Sequence, residues 1–182
     1  MSARIILFRG MNIGGVRAPV ADQRAMALDL GLANPRTLLA SGNLVVESDR
    51  SPADLETALQ AETERRFGRR IDAVVRTPGQ WAAMMMSNPF VTEARRDPAR
   101  LLVMVMKDAI RPGAVEALGA LAQGQEAVRA AGGNLWFWHP DGIGGSKMAA
   151  RAVPRLTGPG TGRNWNTVCK LAEMAGLPGS RQ

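Results

Sequence analysis

The sequence predicts an α+β protein of two ferredoxin-like halves, each a βαββαβ-type antiparallel sheet with helices packed on it, the second half incomplete. Three observations predict it. Short apolar runs and helix-length segments follow one another as β, α, β, β, α, β over the first 77 residues. The order restarts at Leu101. In both halves turn chemistry, rather than a helical crossover, joins the second and third strands: Ala40-Ser41-Gly42-Asn43 in the first and Gly132-Gly133 in the second.

Taken in order, Arg4 to Phe8 is an apolar strand that runs into the glycine-rich loop Arg9-Gly10-Met11-Asn12-Ile13-Gly14-Gly15. Ala21 to Leu30 is a helix stopped at Gly31. Arg36 to Leu39 and Leu44 to Glu47 are strands. The clearest element follows: Ser51 caps a helix, Pro52 suits its first position, Leu55, Ala58 and Leu59 share one face, and Gly68 follows its end. Ile71 to Arg76 closes the first half as a strand. Pro78 to Met86 is a linking helix with Trp81 and three consecutive methionines, ended by Asn88-Pro89-Phe90. Leu101 to Met106 is a strand, Pro112 to Ala122 a helix, and Glu126 to Ala130 with Leu135 to Trp138 a hairpin. Helices then cover Ser146 to Leu156 and Asn164 to Ala175, leaving no evident last strand. The expected division is residues 1–77, a helical linker over 78–98, and 99–182.

Composition excludes several function classes. The 46% apolar content of this 182-residue chain supports a core without staples, and the lone Cys169 rules out an internal disulfide. A single histidine and no carboxylates at ligand spacing give no metal site, and no cofactor is implied. The four-residue apolar start is too short for a signal core or a membrane span, so a cytoplasmic, non-membrane protein is expected. The formal charge of +7 favours encounter with nucleic acid, phosphorylated metabolites or acidic proteins. Its basic residues are scattered, so the charge taken alone reads as solubility and composition ahead of nucleic-acid binding.

Three segments carry polar groups that a fold does not require. The Arg9 to Gly15 loop lies between a strand and a helix, where backbone N–H groups can cradle an anion; it also reads as a tight turn and matches no phosphate signature. His139-Pro140-Asp141-Gly142-Ile143-Gly144-Gly145-Ser146-Lys147 gathers four chemically active side chains. Its structural reading is a turn at Asp141-Gly142 and a helix cap at Ser146, with Lys147 unfavourably placed in the first helical turn unless an anion is near. In Thr161 to Val168, Asn164 reads as an N-cap, while Arg163 and Asn166 are left unexplained by capping. Trp165, Val168, Leu171, Ala172 and Ala175 share a face, so Trp165 reads as core ahead of a stacking platform. Phe137 alternates to the face opposite Trp136 and Trp138, which are expected to be buried.

Leu7-Phe8-Arg9-Gly10-Met11-Asn12-Ile13-Gly14-Gly15, Ser41-Gly42-Asn43, Arg76-Thr77, Asn88-Pro89-Phe90, Asp141 to Lys147 and Arg163 to Val168, in this order, resemble the bacterial "domain of unknown function 1697" family over about Arg4 to Ala175. The resemblance implies a compact cytoplasmic α/β protein with ferredoxin-like halves, and no established activity comes with it.

The functional expectation is an anion-binding module with a basic cleft between the halves, formed by Arg9, Asn12, Gly14, Gly15, Ser41, Asn43, Ser146, Lys147, Arg163, Asn164 and Asn166. Its partner would be a nucleotide, a phosphorylated metabolite or single-stranded nucleic acid. The alternatives are an enzyme acting on a phosphorylated or carboxylated small molecule there, or a structural or partner-binding protein using the methionine-rich link.

Overall fold

The computed structural model describes residues 1–10, 19–39 and 42–178. The chain groups into two compact units, Met1–Ala82 with the chain from Lys170, and Ala83–Cys169.

The first unit runs β1 (Ser2–Phe8), α1 (Val20–Asp29), β2 (Ala33–Thr37), β3 (Asn43–Ser48), α2 (Pro52–Phe67) and β4 (Ala73–Arg76), with α3 (Pro78–Met86) leading out of it. Its antiparallel sheet has the order β2-β3-β1-β4. β1 is central and apolar on both faces, and Ile5, Ile6, Leu7 and Phe8 are all buried. Ile6 and Phe8 meet Met26 of α1 and Leu55 and Leu59 of α2 in one core. The Ser51 hydroxyl accepts from the Asp54 N–H at 3.1 Å, and Gly68 takes φ +65°, so α2 starts and stops where its capping residues stand. Glu56 reaches from α2 to the edge of the sheet, where its carboxylate accepts from the Val75 N–H at 2.9 Å.

The second unit contains α4 (Val91–Arg96), β5 (Leu101–Met106), α5 (Ala114–Gly119), β6 (Ala127–Ala131), β7 (Asn134–Trp138), α6 (Lys147–Arg151), α7 (Pro154–Thr157) and β8 (Gly160–Asn164), from which α8 (Trp165–Met174) departs. Its sheet has the order β6-β7-β5-β8, again antiparallel throughout. Gly132 and Gly133 take φ +55° and +72° in the two-residue turn between β6 and β7, the pair of positive values a tight hairpin of native twist requires. Met104, Met106, Leu135 and Phe137 face Leu118 of α5 and Met148 of α6. The opposite face carries Trp136 and Trp138, both buried, with the Trp165 ring 5.7 Å from Trp136 and the Arg96 guanidinium over Trp138. Neither Trp136 nor Trp138 is exposed for base stacking.

Two expectations need correction. The second half is complete, because Gly160 to Asn164 forms the last strand and pairs with β5 from Leu102↔Asn164 to Met106↔Gly160. Its two glycines lower β-propensity, yet close packing requires them. A Cβ on Gly160 would lie 2.9 Å from Met106 Sδ and 3.1 Å from the Val105 carbonyl, and one on Gly162 would lie 3.3 Å from Leu102 Cδ2. The single helix expected over Ser146 to Leu156 is two, since Val153 is pushed into extended backbone (φ −107°, ψ 154°) by the proline after it. A second short helix, α4, follows Phe90 within the segment expected as a helical linker.

Candidate functional site

The register of the second sheet decides which side chains meet. Leu102 pairs with Phe137 on one side and Asn164 on the other. His139 lies two residues beyond Phe137, so the alternation along β7 brings it to the same face, where the two rings stack with centroids 5.9 Å apart. The His139 N–H donates to the Arg100 carbonyl at 3.0 Å, and the Gly142 N–H donates to the His139 carbonyl at 2.9 Å. These bonds form the expected turn and fold the 140–143 loop back over the start of β5. A cavity of about 250 Å³ results, lined by Ala99, Arg100, Leu102, His139, Gly142, Ile143 and Asn164. Beside it an open groove of about 420 Å³ is lined by Ile143, Gly145, Ser146, Lys147, Ala149 and Ala150.

Behind the cavity stands a buried polar cluster that sequence reasoning missed. The Glu126 carboxylate lies 3.0 Å from His139 Nδ1 and accepts from the Gln123 N–H at 2.9 Å; it also accepts the Ser146 hydroxyl proton. The His139 and Glu126 side chains are only 2% and 8% exposed. Burial pushes the Glu126 carboxyl up, but hydrogen bonds from Ser146, His139 and the Gln123 backbone outweigh it and hold the group below the ordinary carboxylate range. Glu126 is therefore an ionised acceptor, and Nδ1 of His139 must carry the hydrogen between them. The other ring nitrogen, Nε2, is buried and has no hydrogen-bond partner among the described residues.

This geometry is not a serine triad. In a triad the base stands between nucleophile and acid, whereas here Glu126 stands between Ser146 and His139 and takes a hydrogen from each. Ser146 is fully used, since its oxygen also accepts from the Ala149 N–H at 3.1 Å as the cap of α6. Arg100 contributes the charge at the cavity. Its Nε lies 3.6 Å from Asp97, and its Nη groups make no hydrogen bond among the described residues.

The residues expected to bind are distributed as follows. Asn12, Gly14, Gly15 and Ser41 lie outside the described residues. Arg9 is half-exposed, 3.7 Å from Asp72. Asn43 is buried at the β2–β3 turn, donating its amide to the Leu38 carbonyl at 2.9 Å. Lys147 is exposed in the groove and Asn166 is exposed at the start of α8. Asn164 caps α8 by accepting from the Thr167 N–H at 2.9 Å, and it lines the cavity. Arg163, its neighbour in sequence, alternates to the opposite face of the sheet. There Nη1 donates to the Thr161 hydroxyl and the Gly162 carbonyl, and burial pushes the guanidinium down to about 10. Within this unit the structure joins Asn164 and Ser146 to the neighbourhood of His139 and separates Arg163 from them.

A family model of proteins of unknown function, DUF1697, matches residues 1–136. The chain belongs to the DUF1697 family. The match covers β1 through the start of β7, so Glu126 and Arg100 lie within the DUF1697 region, while His139, Ser146 and Asn164 follow it. A solved structure of a conserved bacterial protein from Streptococcus pneumoniae has 21% identity and a TM-score of 0.75 to this DUF1697 chain, covering 96% of it and 98% of the other. That likeness carries the fold. No curated protein matches. Among the described residues no group of His, Cys, Asp and Glu could hold a metal ion, and no helix is long and apolar enough to cross a membrane.

Proposed function

We propose that the protein is a small-anion binding module whose site is the cavity at the open end of the second sheet. One observation carries the reading: Arg100 lines the cavity together with Gly142, His139 and Asn164, and its guanidinium lies against Gly142, close enough that a Cβ built there would meet Nη1 at 2.3 Å. Arg100 offers a planar fork for a phosphate or carboxylate, Asn164 adds a neutral polar group, and Leu102, Ile143 and Ala99 give the apolar wall. At about 250 Å³ the space fits a small metabolite rather than a drug-sized molecule, for which pockets of about 300–1,000 Å³ are usual. Lys147 in the adjacent groove and the +7 formal charge favour the approach of anions.

The test is calorimetric titration of inorganic phosphate into the full chain at low ionic strength, for the natural sequence and for Arg100→Gln. Saturable binding that Arg100→Gln weakens at least about tenfold, the loss of one charge-assisted hydrogen bond, supports the reading. No binding, or equal binding by both proteins, rejects it.

A further inference from the structure

We infer that the site takes a two-headed anion, such as a phosphorylated carboxylic acid or a bisphosphate, with one anionic end on Arg100 in the cavity and the other on Lys147 in the adjacent groove. The inference rests on the small-anion reading and goes further by naming the class of ligand.

The cavity and the groove adjoin, since Ile143 lines both, and each holds one cation: Arg100 in the cavity and Lys147 in the groove. A single tight turn sets the spacing of the two. The Ser146 N–H donates to the Ile143 carbonyl at 3.2 Å, and Gly145 takes φ +89° at the third position of that turn, where a positive value suits glycine. The Cα atoms of Ile143 and Ser146 are therefore within about 7 Å of each other. Gly142, immediately before the turn, lies against the Arg100 guanidinium, and Lys147 comes immediately after the turn. One cation is thus held at the entry of the turn and the other leaves from its exit.

Neither cation is spent on a protein acid. Arg100 has only Asp97, 3.6 Å from its Nε, and its Nη groups make no hydrogen bond among the described residues. Lys147 is exposed and makes no ion pair or hydrogen bond among the described residues, and the exposed Asp141 on the preceding loop pairs with neither cation. The surface between them is apolar. Ile143 is 55% exposed, Leu102 continues the apolar wall on the cavity side, and Ala149 and Ala150 continue it in the groove. An apolar ridge with a cation on either side matches a short carbon chain with an anion at each end: burial of the chain adds affinity, and the two charges fix its orientation. A single small anion uses Arg100 alone and leaves Ile143 and Lys147 untouched.

The experiment titrates the full chain by calorimetry with 3-phosphonopropionate, 4-phosphonobutyrate and 5-phosphonovalerate. Each is compared with the alkylphosphonate of the same carbon count, which has a methyl group in place of the carboxylate. The expected result is tighter binding of the two-headed compound by about threefold or more at the length that spans the turn, the scale of one exposed ion pair. Lys147→Gln should remove that preference and leave the alkylphosphonates bound as before. Lys170→Gln lowers the net charge equally at an exposed lysine of α8 and should keep the preference, which separates a direct contact from general attraction. A preference absent at every length, kept in Lys147→Gln, or lost in Lys170→Gln overturns the two-headed assignment while leaving anion binding intact. Failure of every phosphonate and of inorganic phosphate to bind removes the small-anion reading instead.

Discussion

Replacing Glu126 by Ala tests the buried cluster that shapes the cavity. The carboxylate accepts from three donors, and two of their side chains, His139 and Ser146, are buried at 2% and 6% exposure. Leaving a buried donor without an acceptor costs about 1–3 kcal/mol, more when the lost acceptor is charged. The Gln123 N–H belongs to an exposed residue and can turn to water, so it adds little. The two buried donors together predict a loss of about 3 kcal/mol from the second unit. Three of the four tryptophans, Trp136, Trp138 and Trp165, lie in that unit, so urea unfolding followed by tryptophan fluorescence reports it. Ser146→Ala alone should cost about 1–2 kcal/mol, from the cap and the bond to Glu126. The double variant should fall short of the sum of the two, because both remove the same bond. A Glu126→Ala loss under about 1 kcal/mol, or strict additivity with Ser146→Ala, would refute the cluster as described.

The remaining expectations concern pH, packing and capping. Glu126 is held below its ordinary value in the folded protein, so the stability it contributes is fully present above the unfolded carboxylate pKa of 4.5 and is lost as pH falls through the folded value. The difference in unfolding free energy between the natural chain and Glu126→Gln should therefore be flat above about pH 5.5 and shrink on acidification, read by urea titrations at each pH. Gly160→Val drives a side chain into Met106 and the Val105 carbonyl and should destabilise by about 2–3 kcal/mol, whereas Gly124→Ala, open on that side, should lose only the smaller cost of its positive φ. Ser51→Ala removes the cap of α2 and should cost about 1 kcal/mol by circular dichroism melts, while leaving phosphate binding unchanged.

The parts of the fold legible in the sequence were those whose signals are local. Ser51, Pro52 and Gly68 frame α2 because capping is written in the residues at the helix ends, and Gly132-Gly133 marks a turn because few other residues reach positive φ cheaply. β8 was hidden because its glycines answer to Met106 and Val105 on a strand far away in sequence, and Arg163-Asn164 reads locally as the start of a helix. The same limit applies to the site. Ser146 and Asn164 stand out as caps and prove to be caps, and both also border the cluster or cavity. Arg163 stands out as an anion ligand, yet strand alternation sends it to the other face. Glu126 and Arg100 carry no motif. Glu126 matters because the hairpin returns it beside His139, thirteen residues on, and Arg100 because its carbonyl anchors the His139 turn. A single buried-pair signal was available in retrospect: one histidine at the end of an apolar strand needs a partner for its ring, and the acid opening the preceding strand is within reach of it.

The most direct test of the account is a map of backbone amide shifts on adding inorganic phosphate to the ¹⁵N-labelled chain. Changes should concentrate at Arg100, Leu102, Gly142, Ile143 and Asn164 and should disappear in Arg100→Gln. Shifts that cluster elsewhere in the chain, or none at all at millimolar phosphate, would contradict it.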